Sequence, residues 1–196
     1  MGLNSLLDRR PIVVALAGPN GSGKSTFFDA YLAKTGLRFV NADVLAHSLG
    51  MDPYAAAERA DTLRRELVAL HESFIFETVF SDPVGNKLEF LKAAQELGYT
   101  AVLIFIGVAG PEISDERVAM RVLQGGHDVP PRKLVERFPR IMNNLKRALA
   151  ELPNVWAYDH TDLEEGYRLV ANMENGQGIK LYEPTPEWLR SLLPRD

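Results

Sequence analysis

Short, almost uninterrupted apolar runs alternate along the chain with longer stretches in which apolar residues recur every three or four positions. The runs read as strands over residues 12–17, 37–42, 74–80, 101–108 and 154–158, and the intervening patterns as helices over 24–34, 53–70, 82–97, 111–123 and 131–152. Such alternation predicts an α/β domain of three layers with a mainly parallel sheet. The first and fourth runs, IVVALA and AVLIFIGV, carry no polar face. Both are therefore expected at the centre of the sheet, covered by helices on each side. Pro53 suits a helix start, and Gly36 and Gly98 suit helix ends. Pro139 is expected to kink or divide the helix of 131–152. Farther on, segments 167–173 and 179–182 flank the turn-forming run ENGQG and predict a hairpin, and a short helix is expected to open at Pro186.

The composition narrows the function classes. At 196 residues the chain has the length of one domain. Its 22 basic and 26 acidic residues leave a formal charge of −4, so no global positive field exists to hold a polyanion, and nucleic acid is not expected as a partner. Cysteine is absent, which removes disulfides, thiolate metal sites and thiol nucleophiles and fits a reducing, cytoplasmic setting. The longest apolar run, 101–110, is half the ~20 residues that a membrane helix needs. Arg9-Arg10 before PIVVALAG imitates a secretory signal, but cleavage there would remove the strand that the next residues require. Met1-Gly2 does not make a myristoylation signal, because Leu6 stands where Ser or Thr is needed. His47, His71, His127 and His160 show no paired spacing of the kind that holds zinc.

Residues 18–25, GPNGSGKS, match G-x-x-x-x-G-K-[ST] in full, between an apolar strand and a helix. Gly18, Gly21 and Gly23 can set consecutive backbone N–H groups around a phosphate, with Asn20, Ser22 and Thr26 completing the loop, and the helix N-terminus adds positive partial charge. Lys24 is expected to reach the β- and γ-phosphates of ATP and Ser25 to bind Mg²⁺. The loop text also resembles that of ABC-transporter ATPases. That class requires an apolar strand ending in Asp-Glu, and the strand here ends Tyr158-Asp159-His160.

The acceptor side is read from strand ends, since the carboxyl ends of parallel strands form the ligand crevice. Asp43, 19 residues after Lys24, stands at such an end. It either accepts the proton of an attacking hydroxyl or caps the following helix at Val44. Glu77 and Thr78 close the run FIFET. Glu77 suits either a magnesium-bound water or the hydroxyls of a substrate. Between Arg117 and Arg140 stand six basic residues, Arg117, Arg121, Arg132, Lys133, Arg137 and Arg140, against Asp128 and Glu136, a local charge of +4. Arginines on a closing segment stabilise the charge of phosphoryl transfer. Gly125-Gly126 suits a lid hinge with His127 near its tip, and Arg121, just before the hinge, is the best single candidate.

Taken together, AGPNGSGKST at 17–26, FVNAD at 39–43, FIFET at 74–78 and RVAMRVLQGGHDVP with the arginine-bearing stretch ending Asn143-Asn144-Leu145 resemble the zeta-toxin-like family of phosphate-loop kinases. The resemblance implies a nucleoside-monophosphate-kinase-like, mainly parallel five-stranded sheet ordered 2-3-1-4-5, helices on both faces and an arginine-bearing lid. It implies one P-loop kinase domain over 1–196, with substrate-side helices about 111–150 and a hairpin and helix about 167–193. It also implies ATP and Mg²⁺ as cofactors and transfer of the γ-phosphate to a hydroxyl of a small molecule, such as the UDP-N-acetyl sugar of the zeta toxins. By position, Lys24 and Ser25 match the ATP and magnesium residues, Asp43 the acceptor base, Glu77 and Thr78 the substrate-side acid and hydroxyl, and Arg121, or else Arg117, a lid arginine. Asp159-His160-Thr161 stands where related short proteins have Asp-Asn-Ser. An antitoxin protein is a partner by family analogy. A second reading, from another class, is a nucleotide-dependent switch whose ATP state controls a protein partner; it predicts slow hydrolysis without acceptor-stimulated turnover.

Overall fold

The computed structural model describes residues 2–123 and 129–193. A short helix α1 (Leu3–Leu7) leads into the central strand β1 (Ile12–Ala17), all six of whose residues are buried. Their side chains divide between two cores. Val13, Ala15 and Ala17 face one, and Ile12, Val14 and Leu16 face the other, as the period of two requires. Each buried aliphatic side chain of this kind stabilises the fold by roughly 1.5–3 kcal/mol.

The other strands are β2 (Arg38–Val40), β3 (Phe74–Thr78), β4 (Thr100–Gly107), β5 (Val155–Asp159), β6 (Arg168–Met173) and β7 (Lys180–Leu181). They form one sheet ordered β2-β3-β1-β4-β5-β6-β7. The first five are parallel, in the expected order 2-3-1-4-5. The predicted hairpin of 167–182 becomes β6 and β7, which extend the sheet antiparallel to β5. The sheet thus has seven strands where five were expected, because the hairpin pairs with the open edge of β5.

Helices cover both faces. On one, α4 (Pro53–Ala69), α5 (Asn86–Glu96), α7 (Pro131–Glu151) and α8 (Glu187–Arg190) bury Leu67, Leu91, Leu145 and Trp188. On the other lie α1 and the helix after β1, which contribute Leu6, Leu7, Phe27 and Leu32. The latter begins as α2 (Lys24–Phe27), continues through a π-turn at Phe28–Leu32 and closes as a 3₁₀ turn at Ala33–Thr35. Its consecutive aromatics both find partners: Phe27 meets Tyr158 and Tyr167, and Phe28 stacks on Phe39. Two helices complete the elements, α3 (Ala42–Leu49) and α6 (Pro111–Leu123).

Several expectations need correction. The second strand is shorter than 37–42, because Asn41 leaves the extended pairing to cap α3, its Oδ1 accepting from the backbone N–H of Asp43 and Val44. The cap of that helix is therefore Asn41 and not Asp43. The helix expected over 82–97 begins only at Asn86, after Gly85 takes a left-handed turn. Pro139 does not divide α7. The ring lies on the exposed side of the helix, where water can supply the missing hydrogen bond, while Leu134, Ile141, Leu145 and Leu149 anchor the opposite face. Within α7, buried Asn144 donates to the carbonyls of Phe80 and Asp82 at 2.9 Å each, which pins the loop after β3. Among the described residues no helix is long and apolar enough to cross a membrane.

Candidate active site

The loop from Gly18 to Gly23 turns the chain from β1 into α2, with left-handed backbone at Gly21 (φ +72°) and Gly23 (φ +92°). Crowding adds to this demand for glycine. A Cβ on Gly21 would lie 2.9 Å from the carbonyl oxygen of Ser114 in α6, and one on Gly23 would lie 2.6 Å from the Tyr167 hydroxyl. The loop is gripped by residues from the end of β5 and the approach to β6, on the face that also carries α2. His160 Nδ1 donates to the Ser22 carbonyl at 2.7 Å, so Nδ1 carries the ring proton, and the His160 ring stacks on Tyr167 at 4.0 Å. Tyr167 in turn donates to the Gly23 carbonyl at 2.6 Å and meets the Thr26 hydroxyl. Burial holds the His160 pKa below its ordinary value, with Arg117 adding to that effect and the Ser22 hydrogen bond opposing it.

Lys24 is 5 % exposed. Its Nζ donates to the Pro19 carbonyl at 2.9 Å and stands 3.7 Å from Glu77 Oε1. Burial pushes its pKa down, Glu77 and then Asp43 hold it up, and Arg121 acts against it. Those four charged groups therefore belong to one electrostatic neighbourhood. Glu77 is its hub: Oε2 accepts from Ser25 Oγ and from Asn41 Nδ2, each at 2.9 Å. Glu77 pairs with Leu16 and Thr78 with Ala17 in the sheet register, which sets both beside the start of the phosphate loop.

Asp43 is exposed and opens onto a cleft of about 240 Å³ that also takes Asn41, Glu77 and Thr78 from the strand ends, Asp61 and Arg64 from α4, and Lys87 from α5. The Thr78 hydroxyl accepts from the Phe80 backbone N–H at 3.1 Å and so helps to turn the chain out of β3. Arg117 is directed elsewhere. It donates to the carbonyls of His160 at 2.7 Å and Thr161 at 2.8 Å, above the phosphate loop, and its Cβ lies against Gly21. Arg121, exposed in the last turn of α6, has contacts of its own. Arg137, which the sequence marked only as one of six, reaches Asn20 Oδ1 with a long contact of 3.5 Å. His127 and the Gly125-Gly126 hinge lie outside the described residues.

Sequence reasoning did not foresee the roles of Asn41, Asp61, Arg64 and Lys87 in the cleft, nor of Tyr167 against the loop. The NAD triplet that contains Asn41 was the one available signal, an N-cap residue two positions before an acid. The others meet only through tertiary packing.

The arrangement fits ATP and Mg²⁺. The glycine turn leaves a cradle that a Cβ would fill, buried Ser22 Oγ has no hydrogen-bond partner among the described residues, and a buried ammonium faces a carboxylate that already holds the Ser25 hydroxyl.

A family model described as an AAA domain matches residues 13–140. No match was found among curated proteins. Among solved structures, a chain of the AvrRxo1-ORF1:-ORF2 assembly with ATP is 21 % identical with a TM-score of 0.70 over 96 % of this chain, which spans about two thirds (66 %) of that one. A chain of the PezAT chromosomal toxin–antitoxin system of Streptococcus pneumoniae is 16 % identical with a TM-score of 0.60, over 97 % of this chain and 89 % of that one. Shikimate kinase from Acinetobacter baumannii is 17 % identical with a TM-score of 0.50, over 76 % and 84 %. The fold is that of zeta-toxin and AvrRxo1-like P-loop kinases. With strand, phosphate loop and helix inside the matched span, the chain belongs to the AAA-domain family.

Proposed function

We propose that the protein is an ATP-dependent phosphotransferase that acts on a hydroxyl of a small molecule. The observation that carries this reading is the shared cleft: Asp43 opens onto the same space as Glu77, and both carboxylates act on Lys24 of the phosphate loop. A donor site and an acceptor site with its own acid therefore adjoin. A nucleotide switch has no need of the second.

In this reading residues 18–26 hold the triphosphate of ATP, with loop N–H groups and Lys24 taking its negative charge. Ser25 and Glu77 would hold Mg²⁺, which supplies Lewis-acid stabilisation of phosphate charge when bound. Glu77 serves that side because its Oε2 already accepts the Ser25 hydroxyl proton. Asp43 receives the proton of the acceptor hydroxyl as the new O–P bond forms and the bond from the γ-phosphorus to the bridging oxygen of ADP breaks. Arg121 at the end of α6 and Arg137 beside Asn20 spread charge stabilisation over the transferred group. Thr78 lines the acceptor space, and Arg117 fixes the 160–161 loop over the phosphate loop. Residues 1–196 form one kinase domain in a cytoplasmic setting. Two structural neighbours are described as two-protein systems, which supports an antitoxin-like partner for this chain as well.

The test is ADP release with Mg²⁺ and ATP across UDP-sugars, nucleosides and simple sugars, with mass spectrometry of each acceptor and Lys24→Ala as control. An acceptor heavier by one phosphoryl group, unmodified in the control, is the expected result. Tight ATP binding with no modified acceptor across the panel would move the assignment to a nucleotide switch.

A further inference from the structure

The wall of the cleft opposite the strand ends carries two cations in an unusual state. Arg64 is 5 % exposed, ion-paired with Asp61 one helical turn earlier, and its guanidinium lies 4.9 Å over the Phe76 ring and 6.0 Å from that of Phe90. Lys87 reaches the same carboxylate from α5, with Nζ at 2.8 and 3.1 Å from the two Asp61 oxygens. One carboxylate thus holds two cations, and both cations line the cleft with Asp43, Glu77 and Thr78. The next charges are Asp82 and Arg65, which act on Lys87 with opposite sign. Of the charges that this wall contributes to the cleft, Arg64 and Lys87 exceed Asp61 by one. Burial, with Arg64 beside it, lowers the Lys87 pKa to about 8. For Arg64, burial and then Arg65 bring it to about 10.

A simple structural tie between α4 and α5 would need one cation for one carboxylate. A second cation that is largely withdrawn from water raises the cost of the arrangement unless an anion completes it. Asp61 also fixes the directions of both side chains, so a ligand would find its partners already ordered.

We propose that Arg64 and Lys87 form a carboxylate subsite, so that the phosphoryl acceptor is a small hydroxy acid whose carboxylate docks on them while its hydroxyl faces Asp43. The inference rests on the kinase reading above. A singly charged carboxylate matches the residual +1 of the cluster. A doubly charged phosphate ester would leave excess negative charge in a cleft that already contains Asp43 and Glu77. The volume of about 240 Å³ suits an acceptor of sugar-acid size.

The experiment is isothermal titration calorimetry with a non-hydrolysable ATP analogue and Mg²⁺ present. The probes are D-glycerate and D-galactonate, their neutral counterparts glycerol and galactitol, the esters glycerol 3-phosphate and galactose 6-phosphate, and UDP-N-acetylglucosamine. The expected result is a hydroxy acid that binds at least about tenfold tighter than its neutral counterpart, in line with a charge-assisted hydrogen bond, and loses that preference in Lys87→Gln. Arg64→Lys, which keeps the charge but not the planar fork, should weaken the acid several-fold; Lys87→Gln decides the matter if the Arg64 variant does not fold. Equal binding of acid and neutral probe, no binding by any probe, or a preference that survives Lys87→Gln overturns the subsite. Tighter binding of a phosphate ester or of the UDP-sugar overturns the choice of a carboxylate. Mass spectrometry with ATP separates this from the kinase reading: an acid that binds through Lys87 without becoming phosphorylated leaves the subsite standing and removes the kinase.

Discussion

Lys24 Nζ stands 3.7 Å from Glu77 Oε1, joining the end of β3 to the first residue of α2 through a nearly buried ion pair. The pair works against the loss of charge that burial favours: burial lowers the Lys24 pKa, and Glu77 is the largest of the influences that raise it. Removing one partner of such a pair leaves the other uncompensated.

Glu77→Gln should therefore lower the Lys24 pKa further and loosen the Ser25 hydroxyl at the same time. The expected outcome is a rise of about 10–100-fold in the Mg²⁺ concentration needed for half-maximal turnover, the usual size of an effect on groups that orient a metal ligand. A magnesium titration of ADP release checks it. An unchanged midpoint would assign Glu77 to the acceptor.

Asp43→Asn should cost about 10²–10⁴-fold in phosphoryl transfer while ATP affinity and melting temperature stay close to those of the parent. The stability expectation rests on the cap of α3, which is Asn41 and not Asp43. Asn41→Ala supplies the contrast, since it removes the cap and one hydrogen bond to Glu77 and should destabilise the protein by about 0.5–2 kcal/mol. Thermal melting together with nucleotide titration separates the two.

Gly23→Ala tests the packing beneath the phosphate loop. The new Cβ would meet Tyr167 and His160 at 2.6–2.8 Å, and a left-handed backbone adds about 1–2 kcal/mol of strain. At about 2–4 °C per kcal/mol for a chain of this size, a fall of several degrees in melting temperature is expected, with weaker ATP binding. Tyr167→Phe in the same background should recover part of the loss.

His160 makes stability depend on pH. Its folded pKa lies below the unfolded value of 6.5, so the unfolded state binds more protons as pH falls. The stability associated with neutral His160 is present in full above pH 6.5. It declines as pH drops from there toward the folded pKa and levels off below it. NMR titration of the His160 ring and urea unfolding between pH 5 and 7.5 check both halves. A ring that titrates at or above 6.5 would refute the account.

Much of the architecture was legible because it rests on contiguous patterns. IVVALA and AVLIFIGV announced central strands, and the complete loop motif fixed the turn from β1 into α2. Elements decided by long-range pairing were less legible. β6 and β7 extend the sheet because β5 offers an edge, and the five-residue α1 is too short to show helical periodicity. At the candidate site, Asp43, Glu77 and Thr78 were read as strand-end residues; Glu77 and Thr78 do end β3, whereas Asp43 lies in the first turn of α3, and all three line one cleft. The two readings of Asp43 could not be separated without seeing that Asn41 takes the cap. The meeting of Arg64 and Lys87 was not legible, since nothing in their spacing reveals that a single carboxylate meets both.

The loop that opens at Gly18 is braced by His160 and Tyr167, and the loop that carries His160 is held through Asp159. That carboxylate accepts from Trp188 Nε1 at 2.9 Å, Thr161 Oγ1 at 2.6 Å and Arg168 Nη2 at 3.1 Å. Trp188 also fills the space against Gly107, where a Cβ would come within 2.4 Å of its ring. The loop and its two braces lie 138 and 144 positions apart in sequence, so the loop takes its finished shape only when a distant part of the chain has packed against it, and the order of that loop reports long-range folding and not local turn formation.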